Sequence, residues 1–387
     1  MNHSATLISH RGDPVLLALG ASLLCIGLVA IASASIEYGD FHFGDPWHHT
    51  SRHALYLILG VVAGAIAYMT PTHSLQQFSP WLLFLAFGLL ILVLMPGIGR
   101  EVNGAQRWLP IGPLTFQPSE FVKVALLLYV AGYLVRQEEA VRYQWQGLAK
   151  LMGILAIVAV LLLAEPDFGA TVITVGTVVG MMFIAGAKLQ YIGAMLVAVG
   201  MALAALVINA PYRLQRLTAY QNPWDDPFGS GFQLVQSLIA FGRGEWFGVG
   251  LGNSVQKLFY LPEAHTDFVF SIWAEETGLF GAFALILLFA LLIARILRTA
   301  WQVAALNQHY EAYVCFGAAL VFAGQVFINM GASSGLLPTK GLTLPFVSYG
   351  GTSLIVNCAL LGIILRISGE HLSEKPPASA QKRRRRA

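Results

Sequence analysis

Apolar residues run along this chain in long stretches, and the polar positions gather between them. From Pro14 to Ser35, for example, no Asp, Glu, Lys or Arg occurs. As a helix, a run of about 20 apolar residues crosses a hydrocarbon core of roughly 30 Å. Ten such runs have centres near Leu24, Val61, Phe87, Leu127, Val158, Val178, Leu196, Leu287, Leu320 and Leu361. The pattern predicts an all-α polytopic membrane protein with about ten transmembrane helices. It is read as a single integral membrane domain over 1–387, with the ten-span bundle at 14–368. The first run has no small-residue cleavage pattern ahead of a soluble domain, so it reads as the first span and not as a cleavable signal.

Composition agrees. The apolar share is 56% and the mean hydropathy +0.66, against roughly 45–50% apolar in soluble domains. Cys25, Cys315 and Cys358 all fall inside predicted spans, where a thiol behaves as a small hydrophobe. Their odd count and wide spacing match neither a disulfide framework nor a metal site.

The placement of charge says more than its net value. An even number of spans puts both termini on one side. If that side is cytoplasmic, the inner segments hold Arg11, Arg136, Arg142, Lys150, Lys188, Arg295, Arg298, Arg366, Lys375 and the tail Lys382 to Arg386, as the positive-inside rule requires. The basic tail, 369–387, is expected to be solvated and drawn to anionic lipid; nothing in it points to nucleic acid.

One segment breaks the short-loop pattern. Residues 209–266 form a long outer loop between spans seven and eight, and loops of such length are functional or disordered. Trp224, Phe228, Phe232, Phe241, Trp246, Phe247 and Tyr260 argue against disorder. Within it, "FQLVQSLIAF" repeats Leu234, Val235, Leu238 and Ile239 at helical spacing, with Gln233, Gln236 and Ser237 opposite. That pattern predicts a helix lying in the membrane interface. Two further outer loops, 99–123 and 336–353, are rich in Pro and Gly.

These loops carry the outer basic residues Arg100, Arg107, Lys123, Arg213, Arg216, Arg243, Lys257 and Lys340, with Arg52 elsewhere. If the loops converge, they form a cationic basin suited to a phosphate or pyrophosphate; ordinary solvation and salt-bridging is the alternative. Glu120 and Lys123 share one helix face at the start of span four, where an ionisable pair faces either the bundle interior or a helix-end salt bridge. Glu165 and Asp167 flank Pro166 in a tight outer turn and read as structural. In "YLPEAHTDFVFSIWAEETG", Thr266 and Asp267 look like an N-cap and first helical residue, which puts Asp267 at the outer rim. Glu275 lies eight residues on, about 12 Å along a helix, inside the bilayer; it and Glu276 read as structural, Asp267 as functional. His265 beside Asp267 is weak evidence for a metal or a dyad, and no cofactor or metal ligand set is evident.

The stretches "NGAQRWLPIGPLTFQPSEFVK", "LLLAEPDFGATVI", "NPWDDPFGSGFQLVQSLIAFGRGEWFGVGLGNSVQKL", "YLPEAHTDFVFSIWAEETG" and "LPTKGLTLPFVSYGGTS" resemble the SEDS family of bacterial peptidoglycan polymerases, its cell-division branch more than its elongation branch. The similarity runs from the first span to the tenth. It implies a glycosyltransferase that polymerises lipid II at the outer face of the cytoplasmic membrane during septal synthesis. It further implies a class B penicillin-binding transpeptidase of the FtsI type as partner, among other division membrane proteins, and a location at the septum with the active site on the periplasmic side. In the family's "HTD" position Asp267 is the essential carboxylate, and Glu120, Lys123 and Lys340 match charged positions of the family's central cavity. The expected substrate-binding set is Arg107, Glu120, Lys123, Arg213, Arg216, Arg243, His265, Thr266, Lys340 and Ser348. Phe259 stands where many relatives carry Glu, which leaves the catalytic match intact and bears on regulation.

Two rivals share much of this pattern: a lipid II flippase and a non-catalytic scaffold recruiting the transpeptidase. A transport path needs ionisable residues at several depths, whereas here they crowd the outer half. A scaffold leaves the outer basic residues and Asp267 without a role.

Overall fold

Helices begin where the sequence supplies a cap or a proline. Asp13 accepts the Val15 amide at 2.9 Å ahead of Pro14, Pro118 opens α4, and Asp167 accepts the Ala170 amide at 3.0 Å to start α7. Each device satisfies or removes a backbone donor that the first turn leaves unpaired. The computed structural model describes residues 12–102, 104–112, 114–208, 220–338 and 341–373. Arg11, Arg213, Arg216, Lys340, Lys375 and the basic tail Lys382 to Arg386 lie outside the described residues.

The helices are α1 (Pro14–Phe43), α2 (His48–Met69), α3 (Thr72–Leu94), α4 (Pro118–Arg136), α5 (Glu138–Tyr143), α6 (Trp145–Ala164), α7 (Phe168–Ile184), α8 (Leu189–Ile208), α9 (Phe232–Gly244), α10 (Val269–Ala304), α11 (His309–Ser333) and α12 (Gly351–Ser373). All ten expected centres fall within a helix. Among the described residues, eight helices are long and apolar enough to cross a membrane, and α7 and the first part of α8 are shorter apolar helices. This is an all-helical multi-span membrane protein.

The helices differ in what surrounds them. In α4 and α12, 78% of the most apolar window is buried, and in α11, 67%; in α1, α2, α3, α6 and α10 the share is 17–33%. The first three therefore form the centre, and the others turn apolar side chains outward, as a lipid-facing ring does. Small residues let the centre pack tightly: a Cβ on Gly362 of α12 would collide with the Gly64 carbonyl of α2, the close backbone approach typical of membrane helix pairs. At the inner end, Arg295 of α10 donates to Asp13 at 2.6 Å, and the Asp13 amide donates to Ser368 at 2.9 Å, tying α1, α10 and α12 together.

Three features depart from the sequence reading. The outer loop 99–123 contains a three-stranded antiparallel sheet, β1 (Arg100–Val102), β2 (Ala105–Ile111) and β3 (Leu114–Phe116), in the order β1-β2-β3. β1 and β3 are three residues each and the seven residues of β2, AQRWLPI, do not alternate apolar with polar, while the Gly and Pro residues that mark loops here also make their turns.

Helix α9 is present, but its face is used differently from expectation. Ser237, read as part of the polar side, is fully buried. It lies 2.6 Å from the Ser271 hydroxyl and donates to the Ser333 carbonyl at 2.5 Å. Leu234, Val235 and Ala240 are buried with it, so this face packs on α10 and α11. The amphipathic pattern reports a buried face and cannot say whether protein or lipid covers it.

The third departure concerns α10, which is broken at Gly278 (φ 68°, ψ −167°), a conformation favoured by glycine. Glu275 and Glu276 precede the break, and the apolar stretch that follows runs from Leu279 to Ala294, about 24 Å at 1.5 Å per residue. The two carboxylates therefore lie on the outer side of the break.

Candidate active site

Asp267 lies in the turn that leads the long outer loop into α10. The helix starts at Val269 with Phe268 as its cap, so Thr266 and Asp267 are not its N-cap and first residue. The Thr266 hydroxyl instead donates to the Glu263 carboxylate at 2.7 Å and to its carbonyl at 3.2 Å, closing a turn of the loop. Asp267 is half-buried, and its carboxylate abuts the chain at Gly341: a Cβ there would lie 3.2 Å from Oδ2.

Asn329 of α11 holds this arrangement. Its side-chain amide donates to the Asp267 carbonyl at 2.9 Å and to the Leu342 carbonyl at 2.6 Å. One side chain thus fixes the Asp267 turn and the 341–348 loop to the same helix. Leu342 also packs where a Cβ on Gly169 would be, 2.7 Å from its Cγ. Asp167 accepts from Ser119 at 2.8 Å and from Gln117 at 3.2 Å, and the Gln117 amide donates to Thr352 at 3.0 Å. The outer loops 99–123 and 336–353, the turn at Glu165–Asp167 and the end of the long loop therefore converge on Asp267.

The convergence is less cationic than the sequence suggests. Lys123 pairs with Glu120 at 2.8 Å, both buried in the first turns of α4. Arg107 donates to the carbonyls of Glu165, at 3.0 Å, and Pro166, capping the end of α6. Arg243 reaches Glu275 at 3.4 Å, and Lys257 reaches Glu276 at 3.2 Å. Arg107 and Arg243 thus each make a structural contact within the chain. The cause is that a carboxylate or helix-end carbonyl buried nearby needs a donor. His265 sits in an aromatic cluster. Its ring packs among Tyr38 (5.1 Å), His49 (4.8 Å) and Tyr349 (5.7 Å), and burial pushes it down to about 4. At neutral pH it is therefore uncharged, with one ring N–H as a donor. Ser348 accepts the Leu344 amide at 2.9 Å and closes a turn of the 341–348 loop. Phe259 adopts φ 65° and its ring lies 5.1 Å from Phe41.

Glu275 and Glu276 serve the structural role expected of them. Glu275 accepts from the Ser254 hydroxyl, the Val255 amide at 3.2 Å and the Gln256 amide at 3.3 Å; Glu276 accepts from Ser33 at 2.6 Å. Asp167 is likewise structural. Glu165 is fully buried and neither carboxyl oxygen has a hydrogen-bond partner among the described residues. Burial, with Asp167 adding to it, pushes its carboxyl up to about 8. A carboxyl whose folded value is raised loses stability as pH climbs from its unfolded value toward the folded one. Glu165→Gln should therefore match the natural chain in melting temperature below about pH 4.5 and exceed it increasingly up to about pH 8. A constant difference across that window would exclude the raised carboxyl.

An apolar groove of about 490 Å³ runs between α7 and α8, lined by Val172, Val175, Val179, Phe183, Ile192 and Leu196. Its outer end is Thr171, one turn from Asp167. Among the described residues, no cluster of three or more His, Cys, Asp or Glu side chains is placed to hold a metal ion. Sequence reasoning missed Asn329 and, one turn before it, Gln325; the available signal was a pair of amides four residues apart within an apolar span.

Both fold and sequence have close counterparts. The chain superposes with a TM-score of 0.75 and 32% identity on a chain of a peptidoglycan synthase complex that coordinates polymerization and crosslinking, covering 92% of this chain and 97% of that one. The rod shape determining protein RodA of Thermus thermophilus gives a TM-score of 0.69 at 30% identity, over 95% and 98% of the two chains. Proteins named Probable peptidoglycan glycosyltransferase FtsW are 47% identical in Legionella pneumophila, over 94% of this chain and 95% of that one, and 50% identical in Hahella chejuensis, over 93% and 91%. The family model for FtsW, RodA and SpoVE, described as a cell cycle protein, matches residues 14–373. With the match running from the start of α1 to the end of α12, and so through every segment that converges on Asp267, the chain belongs to the FtsW/RodA/SpoVE family.

Proposed function

We propose that the chain is a peptidoglycan glycosyltransferase that polymerises lipid II at the outer face of the cytoplasmic membrane during septal synthesis, with Asp267 as the general base. The observation that carries this reading is the half-buried Asp267 carboxylate set against Gly341, where the outer loops meet. In the reaction, a sugar 4-hydroxyl oxygen bonds to the anomeric carbon of a lipid-linked sugar. The bond from that carbon to the pyrophosphate oxygen breaks, with inversion, and the hydroxyl proton passes to Asp267. The leaving undecaprenyl pyrophosphate needs charge stabilisation more than a proton. Lys340, which precedes Gly341 in the chain, together with Arg213 and Arg216, retains that expected role. The apolar groove beside α7 suits a polyprenyl tail entering from the bilayer.

The partner in this reading is a class B transpeptidase of the FtsI type, so that new strands are crosslinked as they form. Location at the division septum follows from the same role. The test is to supply lipid II to the purified chain with its transpeptidase, both in detergent and in vesicles. Glycan strands in detergent are expected. Movement of lipid II across the vesicle bilayer without polymer would replace the reading with the flippase; neither polymer nor movement would leave the scaffold.

A further inference from the structure

The turn that carries Asp267 is one hydrogen-bonded unit. The Thr266 and Phe268 amides both return to the Glu263 carbonyl, at 3.2 and 3.3 Å, so a shift at His265 is carried two residues on to the carboxylate. Asn329 ties this unit at the Asp267 carbonyl, and the Tyr349 amide ties it at the His265 carbonyl, at 2.9 Å. The second tie lies against a cluster of rings that the proposed chemistry leaves without a role.

Rings from four segments meet there: Tyr38 from α1, His49 from α2, His265 from the long outer loop and Tyr349 from the loop before α12. His49 touches the other three, with centroids 5.4 Å from Tyr38, 4.8 Å from His265 and, edge to face, 5.1 Å from Tyr349. It is 8% exposed, and neither ring nitrogen has a partner among the described residues. One turn along α2, His53 is fully buried, likewise unpartnered, and 6.2 Å from the Tyr349 ring. A buried polar atom left unpaired costs about 1–3 kcal/mol, which an apolar ring would avoid, so His49 needs a reason beyond packing. Behind it α2 is a firm wall, because a Cβ on Gly64 would lie 2.9 Å from the Cys358 carbonyl of α12.

Charge supplies the reason. The charged and titratable groups around His49 are Tyr38 and His42 of α1, His48 and Arg52 of α2, His265 and Tyr349. None is a carboxylate, and among the described residues no carboxylate pairs with a histidine. A proton on His49 would thus find no counter-charge. His49 also stands in the first turn of α2, where the helix dipole opposes a cation. In its neighbour His265, burial lowers the ring from an ordinary value of 6.5 to about 4. A histidine lowered in this way contributes its stability in full above the ordinary value and loses it as pH falls from there toward about 4. Acid therefore loosens the ring cluster.

We infer that His49 is a positioning residue: its uncharged ring holds His265, and through the hydrogen-bonded turn the Asp267 carboxylate, and a proton on the ring releases them. This rests on the glycosyltransferase reading and adds to it a control by outer pH on whether the base is in place.

The test uses the full chain with its transpeptidase. His49→Ala removes the ring and should lower kcat for lipid II polymerisation about a hundredfold, the effect of displacing a catalytic group by about 1 Å, with KM unchanged. His49→Phe keeps a ring that cannot take a proton, and should restore the natural kcat at pH 7. Its acid limb should also be shallower by about tenfold per pH unit at the foot, because one proton fewer is bound there. Hydrogen exchange reads the tie directly: the Tyr349 amide should exchange about tenfold faster in His49→Ala than in the natural chain or in His49→Phe. If His49→Ala fails to fold, the acid limb and amide exchange of His49→Phe still decide. A folded His49→Phe as slow as His49→Ala, equal acid limbs in His49→Phe and the natural chain, or a loss confined to KM would overturn the inference. A natural chain without polymerase activity at any pH would end the glycosyltransferase reading, while Tyr349 exchange still decides the positioning.

Discussion

Asp267→Asn should lower glycan polymerisation by about 10²–10⁴-fold, the range associated with loss of a positioned general base, while lipid II binding changes little. The substitution preserves size and polarity. It also preserves the Asp267 carbonyl that Asn329 binds at 2.9 Å, so the turn before α10 keeps its anchor. What it removes is the capacity to accept the proton of the attacking hydroxyl. Asp267→Glu keeps that capacity but adds a methylene against the backbone at Gly341, and misplacing a catalytic group by about 1 Å costs around a hundredfold. The expected order is natural chain, then Glu, then Asn. Single-turnover polymerisation at saturating lipid II separates this from a binding defect. An Asn variant within tenfold of the natural rate would remove Asp267 as the base.

How much of this was readable beforehand differs from element to element. The spans were legible because a hydrocarbon environment forces whole helices to be apolar, and their ten centres all lie in helices. Asp267 stood out for the same reason, as an acidic residue where a long loop enters a span. The partners of the outer basic residues were not legible, because sequence shows charges and not what they face. Lys123, Arg243 and Lys257 each face a carboxylate, and Arg107 faces helix-end carbonyls. Three of those four partnerships come from chain positions 18 or more residues apart, or from a turn whose direction only the fold sets. Asn329 was invisible for a different reason: its importance lies in joining two loops, at Asp267 and Leu342, that no local pattern links. The strands of the 99–123 loop, two of them three residues long and the third without alternation, did not outweigh its Gly and Pro.

The clasp behind the catalytic segment gives the second large effect. Lys257 and Glu276 pair at 3.2 Å with side chains 5% and 1% exposed. Lys257 also donates to Ser33 at 3.2 Å and to the Gly252 carbonyl at 2.7 Å. Glu276 takes the Ser33 hydroxyl and, at 3.4 Å, the Ser254 amide. These residues stand on either side of Asp267 along the chain, so the pair closes the loop that carries the base and fastens it to α1. Lys257→Met strips a buried carboxylate of its counter-charge, and breaking such a pair from one side costs about 3–5 kcal/mol. Glu276→Gln should cost less, because the amide still accepts from Ser33 and Lys257 keeps the Gly252 carbonyl. The double variant Lys257→Met with Glu276→Leu removes both charges, and replacing a buried pair with apolar groups is often neutral. It should therefore recover most of the stability lost by Lys257→Met. Unfolding in detergent measures all three, and Glu276→Leu alone. If the double variant loses, relative to the natural chain, the sum of what Lys257→Met and Glu276→Leu each lose alone, the residues are not coupled and the clasp does not exist. If it recovers stability but polymerises slowly, the clasp acts on the reaction by holding the Asp267 turn, since neither residue touches the reacting atoms.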